Sequence, residues 1–217
     1  MSDDHTPLVF VDLSHSISDG DMPYPGDPPT QVIQWATLET EHFRLKQLSF
    51  GSHSSTHIDS PSHLIDGGSS LDSIHLSSFF HTAFVIDCKD FPLIGKEQVK
   101  AIPSGVTAVL FSTGWSERWN SVRYFEDPPL LTEEATLFLL ERGVRMFGFD
   151  SSSCDELENG RMPIHHLILS YGALILENLC NLDRVVGKSV SLVALPLLIG
   201  DSDGAPARVV ASYLAGN

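Results

Sequence analysis

The chain has 217 residues, enough to bury a sizeable core, and one domain over 1–217 is the expected organisation. With 42% apolar and 19% charged residues it has the balance of a folded chain, not a disordered one. It carries 13 basic against 28 acidic residues, a net charge of −15, which argues against nucleic acid or an anionic membrane as partner, since both select a basic face.

Cys88, Cys154 and Cys180 are odd in number, widely spaced and free of any CxxC pattern, which fits a reduced, cytoplasmic setting. Cys88 and Cys180 lie in apolar runs and are expected to be buried packing residues. No apolar stretch reaches transmembrane length, and the acidic start Met1–His5 does not read as a signal peptide, so a soluble protein is expected.

Residues 8–13 (Leu-Val-Phe-Val-Asp-Leu) read as a first strand. Four prolines and a glycine between Met22 and Pro29 exclude regular structure and predict a rigid loop. Such a loop either ties the chain across a surface or presents a side chain. From 30 to 50, apolar and polar residues alternate around Val32, Ile33, Trp35, Phe43, Leu45 and Leu48, as antiparallel strands require.

The stretch from 53 to 63 holds His53, His57, Asp59 and His63, all at odd positions. On an extended segment alternate side chains share a face, so these four groups would point the same way. His57 and Asp59, roughly 6.6 Å apart along a strand, can reach one metal ion, whereas His53 and His57, roughly 13 Å apart when extended, need a bend in the serines between them. Pro61 and the serines disfavour a helix, so a strand end turning into a loop is expected. Neutral imidazole and carboxylate form the usual nitrogen and oxygen donor set for zinc, with manganese as another candidate. A single histidine is usually a packing or surface residue; four such groups within eleven residues are not explained that way.

Beyond it, Leu64–Asp72 is rich in turn residues, and His75 and His81 have no partner at a telling spacing and read as structural. Phe84–Cys88 reads as a strand, Lys96–Ile102 as a short helix closed by Pro103, and Ala108–Ser112 as another strand. Thr132–Gly143 is the clearest helix, with Thr132 as N-cap, acidic residues in the first turn and Gly143 as its stop. Followed by a strand at Val144–Asp150, it makes a β-α-β unit. Asp150–Arg161 is polar and reads as a loop.

His165 and His166 then precede an apolar run that ends at Glu177. A carboxylate among Leu174, Ile175, Leu176 and Leu179 is costly to bury without a cation, a metal or an exposing bend. On one continuous helix His165 and Glu177 would sit about 120° apart, and Gly172 marks a break, so a helix followed by a strand is expected. Either histidine could face the carboxylate. The Gly200–Gly204 stretch lacks the spacing and the closing Glu of an EF-hand loop.

The run from His53 to His63 resembles the H-x-G-T-H-x-D-x-P-x-H signature of the metal-dependent cyclase/hydrolase family that includes bacterial kynurenine formamidase, with Ser55 where the signature has glycine. The Pro-Tyr-Pro-Gly-Asp loop, the His-His pair with its later Glu, and the closing Leu-Pro-Leu and Asp-Gly-Ala-Pro-Ala-Arg segments extend the resemblance over about residues 9–212. It implies a mixed β/β/α swivelling-type α/β fold with a central barrel-like sheet, flanking helices and a homodimer or homotetramer. It further implies that His53 and His57 hold one zinc ion, His165 a second, with Asp59 and Glu177 shared, and that His63 is the catalytic base. Tyr24 takes the place of a substrate-facing aromatic, for which Trp35 and Trp115 are further candidates. His63 as another ligand is the alternative role.

The expected activity is hydrolysis of a small amide by metal-activated water, with N-formyl-L-kynurenine as the substrate to test. Hydrolysis of a cyclic amide or lactone would use the same groups. A metal-binding protein without turnover is the remaining possibility, and it predicts no effect of changing His63.

Overall fold

The computed structural model describes residues 6–155 and 161–216, so Met1–His5 and part of the polar loop at 156–160 lie outside the described residues. The strands are β1 (Leu8–Asp12), β2 (Gln31–Ala36), β3 (Leu45–Ser49), β4 (His57–Asp59), β5 (Phe80–Asp87) and β6 (Leu93–Ile94) in the first half. Helix α1 (Lys96–Val99), β7 (Ala108–Ser112), β8 (Leu130–Leu131), α2 (Glu133–Glu141), β9 (Met146–Phe149), α3 (Pro163–Ser170), β10 (Leu174–Glu177), β11 (Ser189–Pro196) and β12 (Gly204–Leu214) follow.

Seven strands close into a barrel in the order β12-β11-β5-β7-β9-β10-β4, with β4 pairing back onto β12, and β1 adds to β12 from outside. Closure is possible because β12 is eleven residues long. Its first residues, Gly204–Pro206, pair with β4, and its last, Val210–Leu214, pair with β1. The strands β5, β7, β9 and β10 run parallel, while the pairings of β11, β12 and β4 with their other neighbours are antiparallel.

Period-two alternation explains both sides of the wall. Ile58, Val85, Leu110, Met146, Leu176, Leu192 and Val209, one from each barrel strand, belong to a single buried cluster that fills the interior. Val109, Phe111, Phe147, Phe149 and Ile175 leave on the other face and form a second cluster with Leu139, Leu140, Ile168 and Leu169 from α2 and α3. The parallel strands are therefore apolar on both faces, as helix-covered strands are. Helix α2 starts where its sequence indicates: Thr132 Oγ1 accepts from Ala135 N, Glu133 and Glu134 fill the first turn, and Gly143 takes φ 90° beyond the end.

Several expectations need adjusting. The helix expected over Lys96–Ile102 is a single turn ending at Val99, and Lys100 N closes on Lys96 O before Pro103 is reached. The strand expected from Phe84 begins at Phe80. Cys180 is only half-buried, because it follows β10 on a bend at the barrel rim, while Cys88 and Cys154 are buried. His81 is structural, donating to Ser78 O and meeting Thr107 Oγ1 at 3.0 Å. The strands β2 and β3 form a separate hairpin that keeps Ile33, Trp35, Leu45 and Leu48 exposed. Among the described residues no helix is long and apolar enough to cross a membrane.

Candidate active site and metal centre

Strand β4 fixes the centre of the site. Ile58 enters the barrel interior, so His57 and Asp59 on either side of it leave on the outer face. Antiparallel pairing sets Glu177 of β10 directly opposite His57, and Ile175 opposite Asp59. Directly opposed residues of this kind bring their side chains into contact. His57 Nε2 lies 3.2 Å from Asp59 Oδ1 and 3.5 Å from Glu177 Oε2. All three residues are at most 6% exposed.

His53 and His63 do not lie on the strand, so the shared face of odd positions holds only for His57 and Asp59. Ser55 bends the chain with φ 57°, the left-handed region where glycine is at ease, and brings the rings of His53 and His57 to 5.1 Å. His53 Nδ1 donates to Asp59 Oδ1 at 2.7 Å. A 3-10 turn at Pro61–His63 carries His63, whose ring is 4.1 Å from that of His53. Gly204 permits this arrangement: a Cβ there would sit 2.5 Å from His53 Cε1.

From the other side, α3 contributes His165, buried, with Nε2 3.0 Å from Glu177 Oε1 and 3.7 Å from Asp59 Oδ2. His166 is exposed, so His165 is the one of the pair that faces the carboxylate. The orientation of His165 comes from a residue the sequence did not flag. Asp155 accepts from His165 Nδ1 at 2.7 Å and from the backbone N–H groups of Ile164 and His165 at 2.8 Å each. One carboxylate thus caps the first turn of α3 and fixes the imidazole. The available signal was chemical: a buried ligand-type histidine wants an acceptor on its second nitrogen, and the preceding polar loop holds one.

Asp203 was also missed. Its Oδ2 accepts from His53 Nε2 at 2.9 Å and His63 Nδ1 at 3.1 Å. Burial would raise its pKa, but the hydrogen bonds from His53 and His63 outweigh that and hold it at about 2. His53 shows the converse: burial alone would lower its pKa, yet Asp59 and Asp203 push it up to about 10. Asp59 is held well below the usual carboxylate range, its burial more than offset by His53 and His57. Burial pushes the neighbouring Cys154 thiol up to about 11, so it stays protonated.

His53, His57, Asp59, His63, His165 and Glu177 line a cavity of about 340 Å³ whose wall also holds Tyr24, Trp119 and Phe125. Tyr24 is half-buried on the proline loop and meets Phe125 edge-on at 5.8 Å. Trp119 supplies a flat surface, stacked on His15 at 4.2 Å. Burial lowers the pKa of His15 to about 4, so the stack is between neutral rings. Trp119 replaces the two expected tryptophans. Trp35 is 67% exposed on the outlying hairpin, and Trp115 turns its Nε1 to Tyr124 O outside the cavity.

The donor atoms fit a cation. His57 Nδ1 donates to Ser55 O at 2.8 Å, which leaves the Nε2 lone pair buried, without a hydrogen-bond partner, facing two carboxylates. No lysine or arginine is among the described residues lining the cavity. His53, His57 and Asp59 form one group of donors within 4.8 Å of one another, and Asp59, His165 and Glu177 form a second. Asp59 belongs to both. A divalent ion in either group would relieve lone pairs and carboxylates that otherwise repel.

A seven-stranded barrel bearing a cluster of histidines and carboxylates on its outer wall defines the class of protein: a mixed α/β barrel domain with candidate metal-binding groups. Residues 11–156 match the family described as "Putative cyclase". The chain is 30% identical to kynurenine formamidase of Bacillus cereus (strain ATCC 14579), over 93% of this chain and 96% of that one. Isatin hydrolase A from Labrenzia aggregata shares its structure with a TM-score of 0.83 at 27% identity, covering 95% of this chain and 94% of that one. A solved structure described as a "Potential Metal-Dependent Hydrolase With Cyclase Activity" gives 0.78 at 26% identity, over 95% of this chain and 98% of that one. The chain belongs to the cyclase family.

Proposed function

We propose that this protein is a metal-dependent hydrolase of a small aromatic amide, with N-formyl-L-kynurenine and water giving L-kynurenine and formate. One observation carries the reading: His63, oriented by Asp203, stands at the mouth of the donor cluster inside an aromatic-walled cavity. A single catalytic domain over residues 1–217 is part of the same reading.

His53 and His57 would hold one ion and His165 the other, with Asp59 and Glu177 shared between them. Zinc suits the set, with manganese the alternative. When bound, such ions acidify water and polarise an amide carbonyl. The chain's own residues do the rest. Asp203 accepts from His63 Nδ1, which leaves Nε2 free to take a proton from the attacking water and deliver it to the departing amine. Tyr24, Trp119 and Phe125 hold the aryl group and exclude water from one side of it. Similarity to an isatin hydrolase favours a second substrate class, cyclic amides, opened by the same proton transfers.

The test is N-formylkynurenine hydrolysis by the metal-loaded protein and its His63→Ala variant. A fall in kcat of about 10²–10⁴ with metal content retained is the expected outcome. Full activity in the variant would remove His63 from the reaction, and loss of metal would make it a ligand.

A homodimer or homotetramer is supported by the hairpin of β2 and β3, whose Trp35, Phe43 and Leu48 are each more than half exposed. Light scattering should read at least twice the 23.8 kDa chain mass, and a monomer reading would contradict this. The three free cysteines support a cytoplasmic location, which finding the protein outside the cell would overturn.

A further inference from the structure

Asn178 follows Glu177 at the end of β10 and takes φ 57°, a left-handed conformation that asparagine adopts more readily than most residues. Its backbone N donates to Ser151 O at 3.1 Å, and its backbone O accepts from Thr56 Oγ1. Its side chain spans two other segments: Nδ2 donates to Ser55 O at 2.7 Å, and Oδ1 accepts from Tyr124 Oη at 2.8 Å. Asn178 is 7% exposed and Tyr124 is fully buried.

The chemistry of these partners allows one arrangement. Ser55 O can only accept, so the amide nitrogen must face it, and Oδ1 is left for Tyr124, whose hydroxyl must donate. The Tyr124 ring also meets Trp119 and Phe125 edge-on at 5.2 and 5.4 Å. One amide thus ties the aromatic side of the cavity to the bend that precedes β4.

That bend decides how His57 carries its proton. A carbonyl oxygen has two lone pairs, and Ser55 O takes a second donor, His57 Nδ1, at 2.8 Å. Asn178 Nδ2 lies 3.3 Å from His57 Nδ1, two donors side by side on one acceptor. The other edge of the ring pulls the opposite way. His57 Nε2 is 3.2 Å from Asp59 Oδ1 and 3.5 Å from Glu177 Oε2, and both carboxylates favour a proton there. A neutral ring protonated at Nε2 has no lone pair for a cation on that side. Ser55 itself sits at φ 57°, a conformation that persists only when its surroundings hold it.

We propose that Asn178, locked by Tyr124, is a positioning residue that holds Ser55 O in place and thereby keeps the His57 proton on Nδ1 and Nε2 open to a divalent ion. It rests on the metal-centre reading and deepens it. Its loss should fall on the donor group that contains His57 and spare the one that contains His165, which Asp155 orients.

The test is competitive zinc titration against a chromophoric chelator, for wild type, Asn178→Gly, Tyr124→Phe and the double variant. Glycine is at ease in the left-handed turn, so Asn178→Gly reads the amide and not the backbone. One of two zinc affinities should fall about 10–100-fold in Asn178→Gly and about threefold to tenfold in Tyr124→Phe. The double variant should fall no further than Asn178→Gly, because the hydroxyl acts through the amide. Long-range 1H–15N spectra of the metal-free protein should place the His57 proton on Nδ1 in wild type and partly on Nε2 in Asn178→Gly. Equal losses at both sites, additive losses, or unchanged affinities in a wild type that binds zinc would overturn the proposal. A wild type that binds no zinc yet shows the same proton shift on substitution would retain the role of Asn178 and sink the metal centre instead.

Discussion

Glu177→Gln is expected to lower kcat/KM on N-formylkynurenine by about a thousandfold, because Lewis-acid assistance contributes several kcal/mol and each 1.36 kcal/mol is a factor of ten. The substitution keeps the shape of the side chain and removes one charge from between His57 and His165, whose Nε2 atoms lie 3.5 and 3.0 Å from its oxygens. Metal measured per chain should fall, since an amide is a poor replacement for a shared carboxylate. The metal-free variant should also melt below the metal-free wild type, because Glu177 is 6% exposed and pairs with His165 Nε2 at 3.0 Å, and the substitution takes the charge from one side of that buried pair. Retained metal and retained activity together would show that Glu177 is not part of the centre.

Asp155→Ala should carry the largest cost in stability. The carboxylate is 2% exposed and serves Ile164 N, His165 N and His165 Nδ1 at once. Truncation leaves three buried donors unpaired at the start of α3, and removing one partner of a buried ionic pair costs about 3–5 kcal/mol. The same change frees the His165 ring to rotate, so metal affinity should fall about 10–100-fold. Denaturant unfolding measures the first effect and metal titration the second. Asp155→Asn should be milder, since one oxygen still accepts. A loss below about 1 kcal/mol in Asp155→Ala would mean that the helix start finds other partners.

The parts of the fold that could be read in advance were those with local causes. Thr132 and Gly143 delimit α2 by capping and by a left-handed stop, and the strands around that helix follow from short apolar runs. Residues 53–63 were legible because ligand-type side chains converge in sequence before they converge in space. Glu177 was legible because a carboxylate in an apolar run has few affordable environments. What escaped depends on distant segments. Asp203 reaches His53 and His63 across 150 and 140 residues, and only the pairing of β12 with β4 brings it there. Asp155 sits in a polar loop that resembles any other until α3 docks against it. Trp119 is one of three tryptophans, and its role comes from the stack on His15, more than a hundred residues away. Trp35 misled because strand alternation does not say which face of a hairpin is covered, and the hairpin of β2 and β3 stands apart from the barrel.

The measurement that bears most directly on the proposed centre is metal content per chain, on protein purified without chelator, for wild type and Asp59→Asn. Asp59 is the one residue common to both donor groups, 1% exposed and opposite Ile175 on the barrel wall. About two ions per chain are expected in wild type, and loss of both when the shared carboxylate is neutralised. A folded wild-type protein that carries no metal and takes up neither zinc nor manganese would contradict the proposed centre and the hydrolytic mechanism built on it.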